Sequence, residues 1–208
     1  MSSHHFVREQ QEPALLILAL DEFTYATLGE LLEWVPTIIC NEASWEKLLS
    51  WGVKVDVLLC TRDFANREQV ELHAPLQILL MEEEDKEKEL CEAIRYLKES
   101  GQRGVNVIGL PHRHLLGLQE TFSGMEPVIW DGALRYVFVK SGYYRKWWPG
   151  GNLQLHAPEG SFIEKSHNND AHIIPITYAT FVELEEGFTT FTSNTPFWVG
   201  EFVPYPRG

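Results

Sequence analysis

Apolar residues recur along the first half of the chain in two alternating rhythms. Ala14 to Leu20 is an uninterrupted apolar run of strand length, and Tyr25 to Val35 then places apolar side chains at helical spacing behind Thr24, a residue suited to capping. The alternation repeats. Thr37 to Cys40 reads as a strand, Ser44 to Trp51 as a helix that stops at Gly52, and Val55 to Cys60 as a third strand. Leu76 to Met81 continues the series. Glu83 to Ser100 is the longest helical stretch, with Leu90, Ala93, Ile94 and Leu97 on one face and Gly101 behind it, and Val105 to Gly109 is a fifth strand. Strands that are apolar throughout and separated by helices predict a parallel sheet covered on both faces.

Around Phe122 to Pro127 the pattern changes. Short β-prone segments follow from Val128: Leu134 to Val139, Asn152 to His156, His172 to Ile176, Thr180 to Leu184, Phe188 to Thr192 and Phe197 to Val203. Pro149-Gly150-Gly151-Asn152, Pro158-Glu159-Gly160, Asn169-Asp170 and Glu186-Gly187 read as turns between them. The expectation is an α/β N-terminal domain with a parallel sheet flanked by helices, residues 1–124, followed by a mostly β, sandwich-like domain, residues 125–208.

Composition narrows the partners. The 17 Lys and Arg against 30 Asp and Glu give a formal net charge of -13, a field that repels nucleic acid and anionic membranes. No apolar run approaches the roughly 18 residues of a membrane span. Cys40, Cys60 and Cys91 are expected to be buried free thiols, which fits a reducing compartment, and the cytoplasm is the expected location. His4 and His5 belong to a polar N-terminus and are read as a frayed end. The acidic run Glu82 to Asp85 is expected to be a solvated face, with Glu82/Lys86 and Glu84/Lys88 at i,i+4 spacing.

Ligands of open parallel sheets sit beyond the carboxyl ends of the strands. The residues there are Asp21-Glu22, Asn41-Glu42, Thr61-Arg62-Asp63, Glu82 to Asp85 and Pro111-His112-Arg113-His114. Carboxylates mixed with Arg and His suit metal-assisted phosphoryl transfer or nucleotide binding, and polar residues also end strands for solvation alone. His112 and His114 form half of a metal pattern without a supporting third residue at a telling spacing, and are read as polar residues at a helix start. Ser166 to His172 has the composition of an exposed turn. Trp130, Trp147, Trp148 and Trp198 offer either core packing or a surface on which a flat heterocycle stacks.

From Ile39 to Phe64, Asn41-Glu42-Ala43, a short helix ending in Trp51-Gly52-Val53-Lys54, and Val55-Asp56-Val57-Leu58-Leu59-Cys60-Thr61-Arg62-Asp63 together resemble the thiamin pyrophosphokinase family. That family typically shows Asp-Gly-Ala, a helix, a Gly-Ile/Val-Lys-Pro-Asp step and a Gly-Asp-x-Asp-Ser signature. The similarity continues at Glu87 to Ile94, at His114-Leu115-Leu116-Gly117 and at Thr192-Ser193-Asn194.

The resemblance implies transfer of diphosphate from ATP to thiamin, with Mg²⁺ as cofactor, in a homodimer formed through the β domain. It assigns Asp63, Asp56 and Glu89 to catalysis, with Asp63 and Glu89 as metal ligands. It assigns Asn41, Thr61, Arg62, Arg113 and His114 to the nucleotide, and Ser193, Asn194 and Trp198 to thiamin or a thiamin-like molecule.

The sequence departs from the family pattern at several positions. Asn41-Glu42 stands for Asp-Gly, Thr61 for the first signature aspartate, Phe64 for the signature serine and Arg113 for the aspartate before His114. Either Asp63, Glu84, Asp85 and Glu89 rebuild the metal site, or the chain is a catalytically inactive protein that binds a ligand or only dimerises.

Overall fold

The computed structural model describes residues 12–33, 36–73, 75–168 and 170–203. His4, His5, residues 34 and 35 of the first expected helix, and Asn169 lie outside them. The chain divides into two compact units. Of the described residues, the first holds those through Leu110 and Thr121–Pro127, and the second holds Pro111–Glu120 and Val128–Val203.

In the first unit β1 (Ala14–Ile17), β2 (Ile38–Asn41), β3 (Val57–Thr61), β4 (Gln77–Met81) and β5 (Gly104–Ile108) are parallel, in the order β4-β3-β2-β1-β5. Strands β1 and β2 are buried at every position, as their unbroken apolar runs require. Helices α1 (Tyr25–Leu32), α2 (Glu42–Ser50), α3 (Arg62–Arg67) and α4 (Lys86–Glu99) follow β1 to β4 in turn. Two of these connections have no loop at all. Asn41 is both the last residue of β2 and the N-cap of α2, and Thr61 ends β3 while capping α3. For that reason α2 begins two residues before the expected Ser44.

Helix α4 buries Leu90, Ala93, Ile94 and Leu97, the predicted face. It starts at Lys86 rather than Glu83 because Asp85 Oδ1 accepts the N–H groups of Glu87 and Lys88, at 2.9 and 3.0 Å. Glu82 to Glu84 therefore precede the helix, and i,i+4 geometry does not apply to them. Lys88 pairs with Glu83 instead. Cys40 and Cys60 are buried, whereas Cys91, on α4, is exposed, contrary to the expectation of three buried thiols.

The second unit is antiparallel. Its strands are β6 (Glu126–Asp131), β7 (Leu134–Val139), β8 (Tyr143–His156), β9 (Phe162–His167), β10 (Asp170–Pro175), β11 (Ala179–Thr192) and β12 (Phe197–Phe202), in the order β10-β9-β11-β8-β12-β7-β6. The expected turns at Pro149–Asn152 and Glu186–Gly187 are not turns; each lies inside a 14-residue strand, β8 or β11. The ladder between these strands skips one pair at Gly150 and Glu185.

Across the skip the inward parity changes. Trp148 packs into the core before it and Leu153 and Leu155 after it; in β11 Val182 and Leu184 give way to Phe191. Val139, Ile163, Phe197 and Val199 complete this core.

Candidate functional site

At the carboxyl edge of the first unit, hydrogen bonds internal to the chain take up most of the polar groups. The Asn41 side chain accepts the Ser44 N–H through Oδ1 at 3.2 Å. Its Nδ2 donates to the Leu18 carbonyl at 3.1 Å and to Glu89 Oε2 at 2.8 Å. Glu89 reaches this point from α4 and is only 4% exposed. Burial raises its pKa above the ordinary glutamate value, partly offset by the Asn41 bond. The N–H of Thr61 donates to the Glu42 carboxylate and its Oγ1 accepts the N–H of Phe64 at 3.3 Å. Burial and the neighbouring Glu42 carboxylate push the Cys60 thiol up to about 11.

Arg62 and Asp63 project from the first turn of α3 and are exposed. With Thr61, Leu80, Met81 and Glu82 they line an open depression of about 490 Å³. Asp56 is elsewhere. Its Oδ2 accepts the N–H of Ile38 at 3.0 Å, and Oδ1 lies 3.6 Å from Lys54 Nζ, so it ties the amino ends of β2 and β3. A five-residue strand separates it from Thr61, a rise of roughly 16 Å.

Mg²⁺ requires several oxygen ligands at about 2.1 Å. Asp56 is at the opposite edge, Glu89 is buried and held by Asn41, and Asp85 caps α4. Among the described residues no three His, Cys, Asp or Glu side chains form a metal-binding group. Asp56, Asp85 and Glu89 are thus committed within the fold, and Asp63 and Glu82 are the carboxylates that line the open depression.

In the second unit Arg113 and His114 lie on a 3₁₀ turn, His112–His114, where Arg113 Nε donates to His114 Nε2 at 3.2 Å. Ser193 Oγ is engaged by the Phe162 carbonyl at 3.1 Å and by Thr195, so with the exposed Asn194 it shapes the link from β11 to β12. Trp198, expected to meet substrate, is fully buried and stacks on Phe138 with ring centres 4.5 Å apart. It belongs to the core because β12 lies between β7 and β8.

The exposed aromatic surface lies on another face. Tyr143, Arg145 and Trp147 alternate along β8, and Phe188 and Thr190 stand beside Trp147 and Arg145 on β11. With Ser166, His167, Asn168 and Gly187 they line a concavity of about 600 Å³, within the range of small-molecule sites. The Arg145 guanidinium lies 5.0 Å from the Phe188 ring centre. The aromatic-basic-aromatic alternation from Tyr143 to Trp147 was the signal available in the sequence.

No family model matches the sequence, and no curated protein does. Solved structures do match. Thiamin pyrophosphokinase from Geobacillus thermodenitrificans superposes with a TM-score of 0.67 at 14% identity, over 92% of this chain and 98% of that one. The Bacillus subtilis thiamine pyrophosphokinase gives 0.66 at 13%, over 92% and 99%, and the Candida albicans enzyme 0.66 at 10%, over 92% and 90%. At such identities the similarity speaks to backbone architecture. A parallel layer with strand-to-helix joints and an antiparallel sheet, matched over nearly the whole of these enzymes, give this chain the thiamin pyrophosphokinase fold.

Proposed function

We propose that this is a thiamin pyrophosphokinase-like protein that binds thiamin or a thiamin-like heteroaromatic and does not carry out diphosphate transfer from ATP. The observation that carries this reading is the buried Asn41–Glu89 pair. It consumes a carboxylate that an Mg²⁺–ATP site would need and leaves Asp63 with Glu82 as the other carboxylate lining its depression. The concavity on β8 and β11 supports the binding half of the proposal. Trp147 offers a ring face for stacking, and Arg145 offers a guanidinium for an anionic substituent.

The second reading, an active ATP:thiamin diphosphotransferase, is favoured by the depression that brings Thr61, Arg62, Asp63 and Glu82 together at the carboxyl edge. One experiment separates the two. Incubation of the purified chain with thiamin, ATP and Mg²⁺ is expected to yield no thiamin diphosphate or AMP. Calorimetry is expected to show thiamin binding that weakens about tenfold in Trp147→Ala. Product that requires Mg²⁺ and disappears in Asp63→Ala establishes the enzyme. Absent thiamin binding, or an affinity untouched by Trp147→Ala, sinks the ligand site.

A further inference from the structure

A buried cluster in the second unit serves neither candidate site. Its base is a cross-strand row: Tyr136 on β7, Gly200 on β12 and Gln154 on β8 are register partners. Gly200 has no side chain, so the Tyr136 ring lies across it and its hydroxyl donates to Gln154 Oε1. The same oxygen accepts His156 Nε2–H at 2.9 Å. This fixes the His156 tautomer with its lone pair on Nδ1, and Nδ1 is a buried nitrogen without a hydrogen-bond partner on a residue of zero exposure. Burial lowers the His156 pKa to about 4, with the neighbouring His112 contributing, so the ring is neutral near pH 7.

His112 covers the cluster from the 3₁₀ turn. Its ring stacks on Tyr136 and stands edge-on to His156 with centres 5.3 Å apart. Asp131 Oδ2 accepts both the His112 main-chain N–H at 2.8 Å and Nδ1–H at 2.6 Å, which leaves the lone pair on Nε2. The His112 side chain is about one-third exposed.

We infer that His112 Nε2 and His156 Nδ1 bind a divalent d-block cation of the zinc class. Each ring presents one free lone pair and donates its other nitrogen's proton to an oxygen, the arrangement by which metal-binding histidines are oriented. Two imidazoles on one tetrahedral ion, with bonds of about 2.0–2.1 Å, have ring centres roughly 5.2 Å apart, close to the spacing found here. Only two protein ligands are supplied, so the other positions belong to water or a small ligand, and the ion exchanges readily. Imidazole nitrogen selects such cations over Mg²⁺.

The test uses the full chain carrying His4→Ala and His5→Ala, which removes the histidine pair at the N-terminus. Co²⁺ is titrated while visible absorption is followed, and the thermal midpoint is measured with Zn²⁺ in parallel. One saturable set of d–d bands is expected, abolished by His112→Ala and needing roughly 10–100-fold more Co²⁺ in Asp131→Asn. Zn²⁺ should raise the midpoint of the parent chain and not that of His112→Ala. His156 is fully buried, so the test rests on His112 and Asp131, which are partly exposed. Missing bands, or bands unchanged by His112→Ala, overturn the inference.

Discussion

Glu89 is a carboxylate whose burial disfavours its charged form, partly offset by the Asn41 bond. Its folded-state pKa lies above that of the unfolded chain, chiefly through desolvation. Below the unfolded value of about 4.3 both states are protonated and the residue contributes no penalty. As pH rises from there through the folded value, the unfolded chain ionises first and stability falls. Glu89→Gln keeps an acceptor for Asn41 and removes the charge, so it should stabilise the protein at pH 7 and have little effect below about pH 4. Urea midpoints of both proteins at the two pH values measure this; an equal shift at both contradicts it. The sequence located Glu89 correctly on the long helix. Its partner Asn41 lies 48 positions away, and only the parallel packing of β2 against β1 under α4 brings the two into contact.

Elements were legible where burial alone dictates the pattern. Ala14–Ile17 and Val57–Cys60 are apolar at every position because both faces of a parallel strand are covered, so length and composition sufficed. Gly150, Gly151 and Gly187 were misread because glycine favours a hairpin and a mid-strand bend for the same reason, and pairing partners decide which forms. The row Tyr136-Gly200-Gln154 was invisible for a related cause, since it depends on the register of strands up to 64 positions apart. It carries its own prediction. A methyl group at Gly200 would meet the Tyr136 ring at 2.9–3.1 Å or closer, so Gly200→Ala should cost about 1–3 kcal/mol. The cost should shrink in a Tyr136→Leu background. A neutral Gly200→Ala, read from its denaturation midpoint, contradicts the arrangement.

At the scale of the whole chain, composition foretold more than motif. A formal charge of -13 and a 44% hydrophobic content predicted an acidic protein with a substantial core, and no helix of the described residues is long and apolar enough to cross a membrane. A residue type at a strand tip does not specify which oxygen or nitrogen is already hydrogen-bonded within the fold. The resemblance singled out Asp56, Glu89 and Trp198 by position; the fold adds the Ile38 N–H bond to Asp56, the Asn41 bond to Glu89 and the Phe138 stack on Trp198.

The distribution of sulfur gives the chain a built-in clock for opening. Cys91 lies on the surface, while Cys40 and Cys60 sit on adjacent strands, both with thiols that burial keeps protonated. An alkylating reagent in native buffer should therefore add one label per molecule quickly. The second and third should arrive together, at the rate at which β2 and β3 come apart. Intact-mass spectrometry over time reads this directly, and three labels acquired at a single rate would mean that the parallel layer does not close around its centre.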